Sequence, residues 1–333
     1  DYTGGGCPHI LAEPQRTNVN KYSEDFRQSF YIKDSGVSVG TTNNISPSGE
    51  SNASQIEVNN NGRIYANVTS DTYASSVFIK AGTFAYFKIG GVNVDLIAGT
   101  NAEGTIDYLG SGWFRVGINY TGNRPFQIQA YPDGTYSSHT TYGNYYIWGS
   151  QIEAGSYATS YIPTSGGEVT RNQDIFTRDG IRSLINSTEG VLFVEIQGFS
   201  NVNLQRIISL SDGDNNVNTV QLGILNSTTN YKLFASVRVN SSYQDGTFMV
   251  YDLGAVEPTM VKVAIKYKEN DFALWVDGVE RVTDTSGSTF SADTLNELAF
   301  DRGGGSQKFE GKVKQLQVYT TALTDDQIKQ ITQ

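Results

Sequence analysis

The sequence predicts an all-β protein: two tandem antiparallel jelly-roll β-sandwich domains, with one short helix at the C-terminus. Three observations predict it. Short runs of β-branched and aromatic residues recur along the chain, separated by turn-forming Gly, Asn, Asp, Ser and Pro clusters. No stretch sustains a helical period until the final residues. Near the middle, the apolar run Tyr145–Trp148 breaks into Gly, Ser, Pro and Thr before the chain resumes as Glu168 to Arg178. That break reads as a closing strand, a linker centred on Pro163 and an opening strand. It divides 333 residues into parts large enough for separate cores, residues 1–164 and 165–333.

Taken in order, Ile10 and Leu11 precede Pro14, which confines them to an edge strand, expected to close the first domain. Lys21 to Phe30 fits either one helical turn or a loop. Strands are predicted at Ser54–Val58, Ala74–Lys80, Ala85–Ile89, Trp113–Tyr120, Phe126–Tyr131 and Tyr145–Trp148, spaced as in a sandwich or jelly roll. In Trp113–Tyr120 alternation puts Phe114, Val116, Ile118 and Tyr120 on one face, and Trp113, Arg115 and Asn119 on the other.

The second half restarts with GVLFVEIQG at Gly190–Gly198 and continues through six further apolar runs to KVKQLQVY. Asp277-Gly278 between two such runs predicts a two-residue hairpin, pairing Val276 with Val279 and Trp275 with Glu280. Trp275 and Glu280 then share the face opposite Phe272, Leu274 and Val276. At the end, Thr324 and Gln327 have capping-box spacing and Asp325 and Asp326 complement the helix dipole, predicting a helix packed by Leu323 and Ile328.

Composition excludes several functions. A net charge of −10 and scattered Lys and Arg argue against a phosphate-backbone binder, so nucleic acid is not an expected partner. With Cys7 alone there is no intrachain disulfide, and with only His9 and His139 no usual Cys/His zinc site. No segment has the length and apolarity of a membrane helix, and membrane insertion is not expected. A start at Asp1 without a signal peptide is expected of a processed product or a fragment.

Two resemblances cover nearly the whole chain. EGVLFVEIQGF, RIISLSDGDNN, VKVAIKYKENDFALWVDGVE and FEGKVKQLQVYTTALTDDQIKQIT resemble successive blocks of a concanavalin A-like, laminin-G-type lectin domain. This implies a two-sheet jelly roll that binds glycans or proteins, with some glycan-cleaving relatives. CPHILAEPQRTNVNKYSEDF, ASSVFIKAG, GSGWFRVGINY and, most specifically, Tyr146 to Asp174 resemble a module of bacteriophage virion proteins, often fibres, similar in design to carbohydrate-binding jelly rolls. The resemblance implies a virion-surface or extracellular location and contacts with other virion proteins. Phage fibres are commonly trimers, so a homo-oligomer is an expectation, although no heptad is present.

Catalytic residues are not found. Concanavalin-like hydrolases carry an E-x-D-x-x-E strand pattern that supplies two carboxylates, and it is absent here; Glu195 stands alone. Gln151 to Glu153 has glutamate where a similar lyase motif has histidine, and neither His9 nor His139 lies in a nucleophile-activating setting. Two sets suit sugar, which needs an aromatic platform beside hydrogen-bonding groups: Trp275 with Glu280, and the loop residues Tyr136, His139 and Tyr142. Trp275 serves equally as a contact to a neighbouring domain or subunit, and Trp113 and Trp148 read as packing. In Ser211 to Asn216, Asp212 and Asp214 suit a structural calcium ion; the competing reading is an Asp-Gly turn. No other cofactor is expected. The sequence therefore points to a non-enzymatic phage virion surface protein that binds glycan or host-surface polysaccharide. An extracellular polysaccharide-degrading enzyme or its binding module, and a purely structural assembly protein, are the alternatives.

Overall fold

The computed structural model describes residues 8–68, 72–121, 126–198, 204–214, 217–243, 248–256 and 259–333. Cys7, Asn215 and Asn216, and the side chain of Tyr120, lie outside the described residues. The chain forms two compact units, a continuous one, Gln15–Asn172, and a discontinuous one, Asp1–Pro14 with Gln173–Gln333. Both are antiparallel β-sandwiches, and the α-helix Asp325–Thr332 ends the chain.

The continuous unit packs a sheet ordered Thr100–Asn101, Val92–Asp95, Tyr86–Ile89, Phe126–Tyr131, Arg63–Ala66, Ile32–Lys33 against one ordered Gly104–Gly110, Trp113–Thr121, Thr72–Ala81, Tyr142–Ala154, Ser51–Asn59, Val37–Val39. Alternate residues of each strand point inward, so Ile64, Phe87, Ile89 and Ile128 meet Ile56, Val77, Ile79, Val116, Ile118 and Tyr145 in one core. In the discontinuous unit, Leu192, Val194, Ile265, Phe272 and Leu274 meet Ile208, Leu210, Val220, Leu222 and Leu233.

The predicted edge strand exists, Ile10–Ala12, but it closes the other unit. Its register is Ile10 with Val313 and Ala12 with Gly311, and Ala12 is buried in that unit's core. Proximity in sequence misled: the chain starts in one sandwich, leaves it at Pro14 and re-enters at Gln173.

The expected linker around Pro163 is a strap within the continuous unit. The fully buried Gln151 side chain donates Nε2–H to Thr159 O (3.2 Å) and Ser160 O (3.3 Å), and its Oε1 accepts from Ile162 N (2.6 Å). Glu153, also fully buried, accepts from Thr159 N (2.8 Å) and Thr159 Oγ1 (2.5 Å). Thr164 N donates to Ser23 Oγ (2.8 Å), and Tyr161 Oη–H donates to the same oxygen (2.7 Å). Buried backbone groups need partners, and these side chains replace a ladder the segment cannot form. The strand expected to open the second domain at Glu168 instead pairs Val169–Arg171 with Arg16–Asn18 inside the continuous unit. The chain passes between the units at 172/173, eight residues beyond the expected 164/165.

Candidate functional site

The expected sugar platform at Trp275 is not one. The hairpin itself forms as read: Asp277 and Gly278 have φ of +46° and +76°, both left-handed as a type I′ turn requires, and Trp275 pairs with Glu280. But the C-terminal helix lies over that face. Ile328 is fully buried in a cluster with Val191, Phe193, Ala264, Ala273 and Trp275, and Trp275 retains 5% exposure. An amphipathic helix must bury its apolar stripe, and this sheet face supplies the other half. Glu280 remains exposed at the helix margin. Its carboxyl is held above the usual range by partial burial and by the charges of Asp325 and Asp271, with Lys266 opposing.

The loop trio divides. Tyr142 is 64% exposed, and alternation from the core residue Tyr145 places it on the outer face of the sheet that contains Tyr142–Ala154. Tyr136 and His139 lie in the loop that follows Phe126–Tyr131 of the opposite sheet, and both rings lean on Tyr131, at 5.5 and 5.9 Å between centroids. His139 is partly buried, and both of its ring nitrogens are engaged. Its Nε2 lies 2.9 Å from Ala130 O and its Nδ1 accepts from Thr141 N (3.2 Å), which assigns the Nε2–H tautomer.

Tyr136 joins a wider surface, the outward face of the sheet that contains Tyr86–Ile89, Phe126–Tyr131 and Arg63–Ala66. Inward Phe87, Ile89, Ile128 and Ile64 force their strand neighbours Tyr86, Lys88, Gln127, Gln129, Arg63 and Tyr65 outward, and all six are half-buried. Register sets them in rows. Lys88 pairs with Gln129 and Gln129 with Arg63; Tyr86 pairs with Tyr131, and Gln127 with Tyr65. The Tyr136 backbone is left-handed (φ +53°), and its ring stands edge-on to Tyr86 at 6.2 Å as well as to Tyr131. Asn61 Nδ2 fixes the loop through Ser138 Oγ (2.9 Å).

The polar groups on this face are held in place. Lys88 Nζ lies 5.3 Å from the Tyr131 ring centroid, and the Arg63 guanidinium 5.3 Å from that of Tyr65. Arg63 Nε donates to Asp34 Oδ2 (2.8 Å), which raises its pKa further, and Gln129 Nε2 donates to Asn61 O (3.0 Å). Burial raises the pKa of the Tyr131 and Tyr136 phenols, so both are O–H donors at neutral pH. The face combines aromatic edges, two carboxamides and two cations on a rigid sheet. Of these, the sequence reading found only Tyr136. Tyr86, Lys88, Gln127 and Gln129 lie on strands that the sequence predicts, but Arg63 and Tyr65 lie on one that it does not, and which sheet face is left uncovered depends on tertiary packing.

Asp212 behaves as a turn residue: Oδ1 accepts from Asp214 N (3.1 Å) and Oδ2 from Asn218 Nδ2 (2.6 Å). Among the described residues no three His, Cys, Asp or Glu side chains gather as metal ligands. Glu195 is buried at 5% exposure, with Oε1 2.7 Å from Lys314 Nζ.

Residues 198–329 match the family model described as the concanavalin A-like lectin/glucanases superfamily. The discontinuous unit is a lectin-like β-sandwich. Among solved structures, this chain is similar to the Ruminococcus gnavus IT-sialidase CBM40 bound to alpha2,3 sialyllactose (19% identity, 45% of this chain and 86% of that chain, TM-score 0.35). It is also similar to domain 4 of AbnA, a GH43 extracellular arabinanase from Geobacillus stearothermophilus, in complex with arabinotriose (15% identity, 54% and 81%, TM-score 0.35). A third is the mouse laminin alpha1 chain, domains LG4-5 (10% identity, 95% and 92%, TM-score 0.29). No curated protein matches the sequence.

Proposed function

We propose that this chain is a non-enzymatic glycan-binding protein and that the tyrosine face of the continuous unit is a sugar-contacting surface. The observation that carries the reading is the outward row of Tyr86, Tyr136, Lys88, Gln129 and Tyr65, none of them needed by the core. Sugars present C–H faces that pack on aromatic rings and hydroxyls that exchange bonds with amides and phenols; an open sheet face suits a chain of sugars better than a single one. The lectin-type family match of the other unit supports the same function. The likeness of Tyr146 to Asp174 to a phage fibre module supports a place on a virion surface, with host-surface or environmental polysaccharide as the ligand.

A glycan array followed by affinity measurement on the purified chain tests this. At least one oligosaccharide is expected to be retained, and Tyr86→Ala to weaken it about tenfold, the scale of one lost aromatic contact. An empty array, or an affinity unmoved by Tyr86→Ala, overturns the reading. New reducing ends released from the retained polysaccharide would favour a degrading enzyme instead.

A further inference from the structure

Tyr142, Asn144 and Tyr146 occupy alternate positions of Tyr142–Ala154, opposite in sense to the core residues Tyr145 and Ile147, and so project from the outer face of their sheet. Register surrounds them with polar side chains. Tyr146 pairs with Gln55 on one neighbouring strand and with Lys80 on the other, while Asn144 pairs with Glu57. Gln55, Glu57, Lys80, Asn144 and Tyr146 are all half-buried, and Tyr142 is 64% exposed.

These groups are braced. Tyr146 packs against a buried cluster of Ala53, Phe78, Trp113 and Trp148 on the same face, and Trp113 pairs with Lys80. The Lys80 stem lies under the turn at residues 110–112, where Gly112 has φ +81° and a Cβ would stand 3.4 Å from Lys80 Cε. The two amides are each fixed by their oxygen: Thr41 Oγ1 donates to Gln55 Oε1 (3.1 Å), and Thr83 N to Asn144 Oδ1 (3.4 Å). Among the described residues Gln55 Nε2, Asn144 Nδ2 and Lys80 Nζ have no acceptor, so three sets of N–H donors remain open beside the tyrosines. A strand rises about 3.3 Å per residue, which sets the Cα atoms of Tyr142 and Tyr146 about 13 Å apart. One sugar ring cannot reach both.

We propose that this face is a second saccharide site, which takes an uncharged oligosaccharide laid along residues 142–146, with sugar rings packed on Tyr142 and Tyr146 and Gln55, Asn144 and Lys80 donating to hydroxyl oxygens. An uncharged sugar fits better than an acidic one because Lys80 is balanced by Glu57 one row away. A sugar fits better than an apolar peptide because open donors separate the two rings, and no continuous apolar surface joins them. The site lies on the opposite sheet from Tyr86 and Tyr136 and does not depend on that face.

Calorimetric titration of the full chain with maltohexaose, cellohexaose and xylohexaose, each beside its disaccharide, tests the proposal. At least one hexasaccharide is expected to bind, and its disaccharide, which can cover only one tyrosine, to bind at least about tenfold more weakly. Tyr142→Ala is expected to remove that dependence on length, with hexasaccharide affinity lowered about tenfold and the unfolding midpoint unchanged, since its ring is exposed. Gln55→Ala is expected to weaken the same binding severalfold. Tyr86→Ala leaves the length-dependent binding in place, so failure here and failure of the tyrosine face are distinguishable. Binding weakened by Tyr86→Ala but by neither Tyr142→Ala nor Gln55→Ala puts the sugar on the other sheet and overturns the proposal. No binding of any hexasaccharide, or equal binding of hexasaccharide and disaccharide, also overturns it. The length comparison uses the unaltered chain and stands whether or not a variant folds.

Discussion

At Glu280 burial and two neighbouring carboxylates act against ionisation, with only Lys266 in its favour, so its folded-state pKa lies above the ordinary glutamate value. A raised carboxyl contributes stability when protonated, fully present below the unfolded pKa and lost as pH rises through the folded value. Neutral pH is therefore the unfavourable side. Glu280→Gln is expected to raise the thermal midpoint at pH 7 by about 1 °C, the scale of a half-screened surface charge, and the gain to vanish towards pH 4. A gain that persists unchanged at low pH would refute the electrostatic cause. Its cross-strand partner Trp275 shows what single residues disclose in the sequence. Asp277-Gly278 fixed the turn, the register and the face, all local consequences of left-handed backbone and a period of two. Exposure was not local: that face is covered by a helix some fifty residues later, whose Ile328 takes the place a sugar would have needed. Likewise His139 looked available in its loop, yet both ring nitrogens are engaged with Ala130 O and Thr141 N.

Among the elements, strands with strong alternation were legible almost to their ends, as at Trp113–Thr121 and Phe126–Tyr131. Arg63–Ala66, Val92–Asp95 and Gly104–Gly110 were not, because short or polar strands acquire their structure from neighbours in the sheet. The strap after Ala154 was misread for a related reason. Gly, Ser, Pro and Thr signal irregular backbone, and the segment is irregular; its attachment lies in side chains such as Gln151, Glu153 and Thr164, whose partners lie elsewhere in the chain. Gln151 gives the sharpest test. It is fully buried and serves Thr159 O, Ser160 O and Ile162 N at once. Gln151→Met keeps the volume and strands these groups, so a loss of about 2–4 kcal/mol is expected in urea unfolding. A loss below about 0.5 kcal/mol would mean that water satisfies the strap and that the glutamine does not hold it.

For the whole molecule, the structure replaces tandem domains with an insertion: the continuous unit interrupts the lectin-like one between Pro14 and Gln173. The edges of that interruption are already closed. Glu13 N donates to Asp174 Oδ2 (3.0 Å) and Asp174 N to Glu13 O (3.0 Å), while Arg16–Asn18 pairs with Val169–Arg171 on the far side. The discontinuous unit therefore meets the insertion as a loop with adjacent ends, and closure entropy changes only slowly with the length of such a loop. Joining Pro14 directly to Gln173 through an Asn-Gly turn should leave Ile10–Ala12 paired with Gly311–Tyr319 and the core of Leu192, Ile208 and Leu222 intact. The shortened chain is expected to unfold in one cooperative transition with a strand-type circular dichroism spectrum. It should also lose any binding that Tyr86→Ala weakens. The first Ile10–Ala12 residues are the sensitive point, since Ala12 is buried among core side chains and a strained junction would pull it out of register. A non-cooperative transition, or binding of an apolar dye by the shortened chain, would show that the lectin-like unit relies on the insertion for its fold.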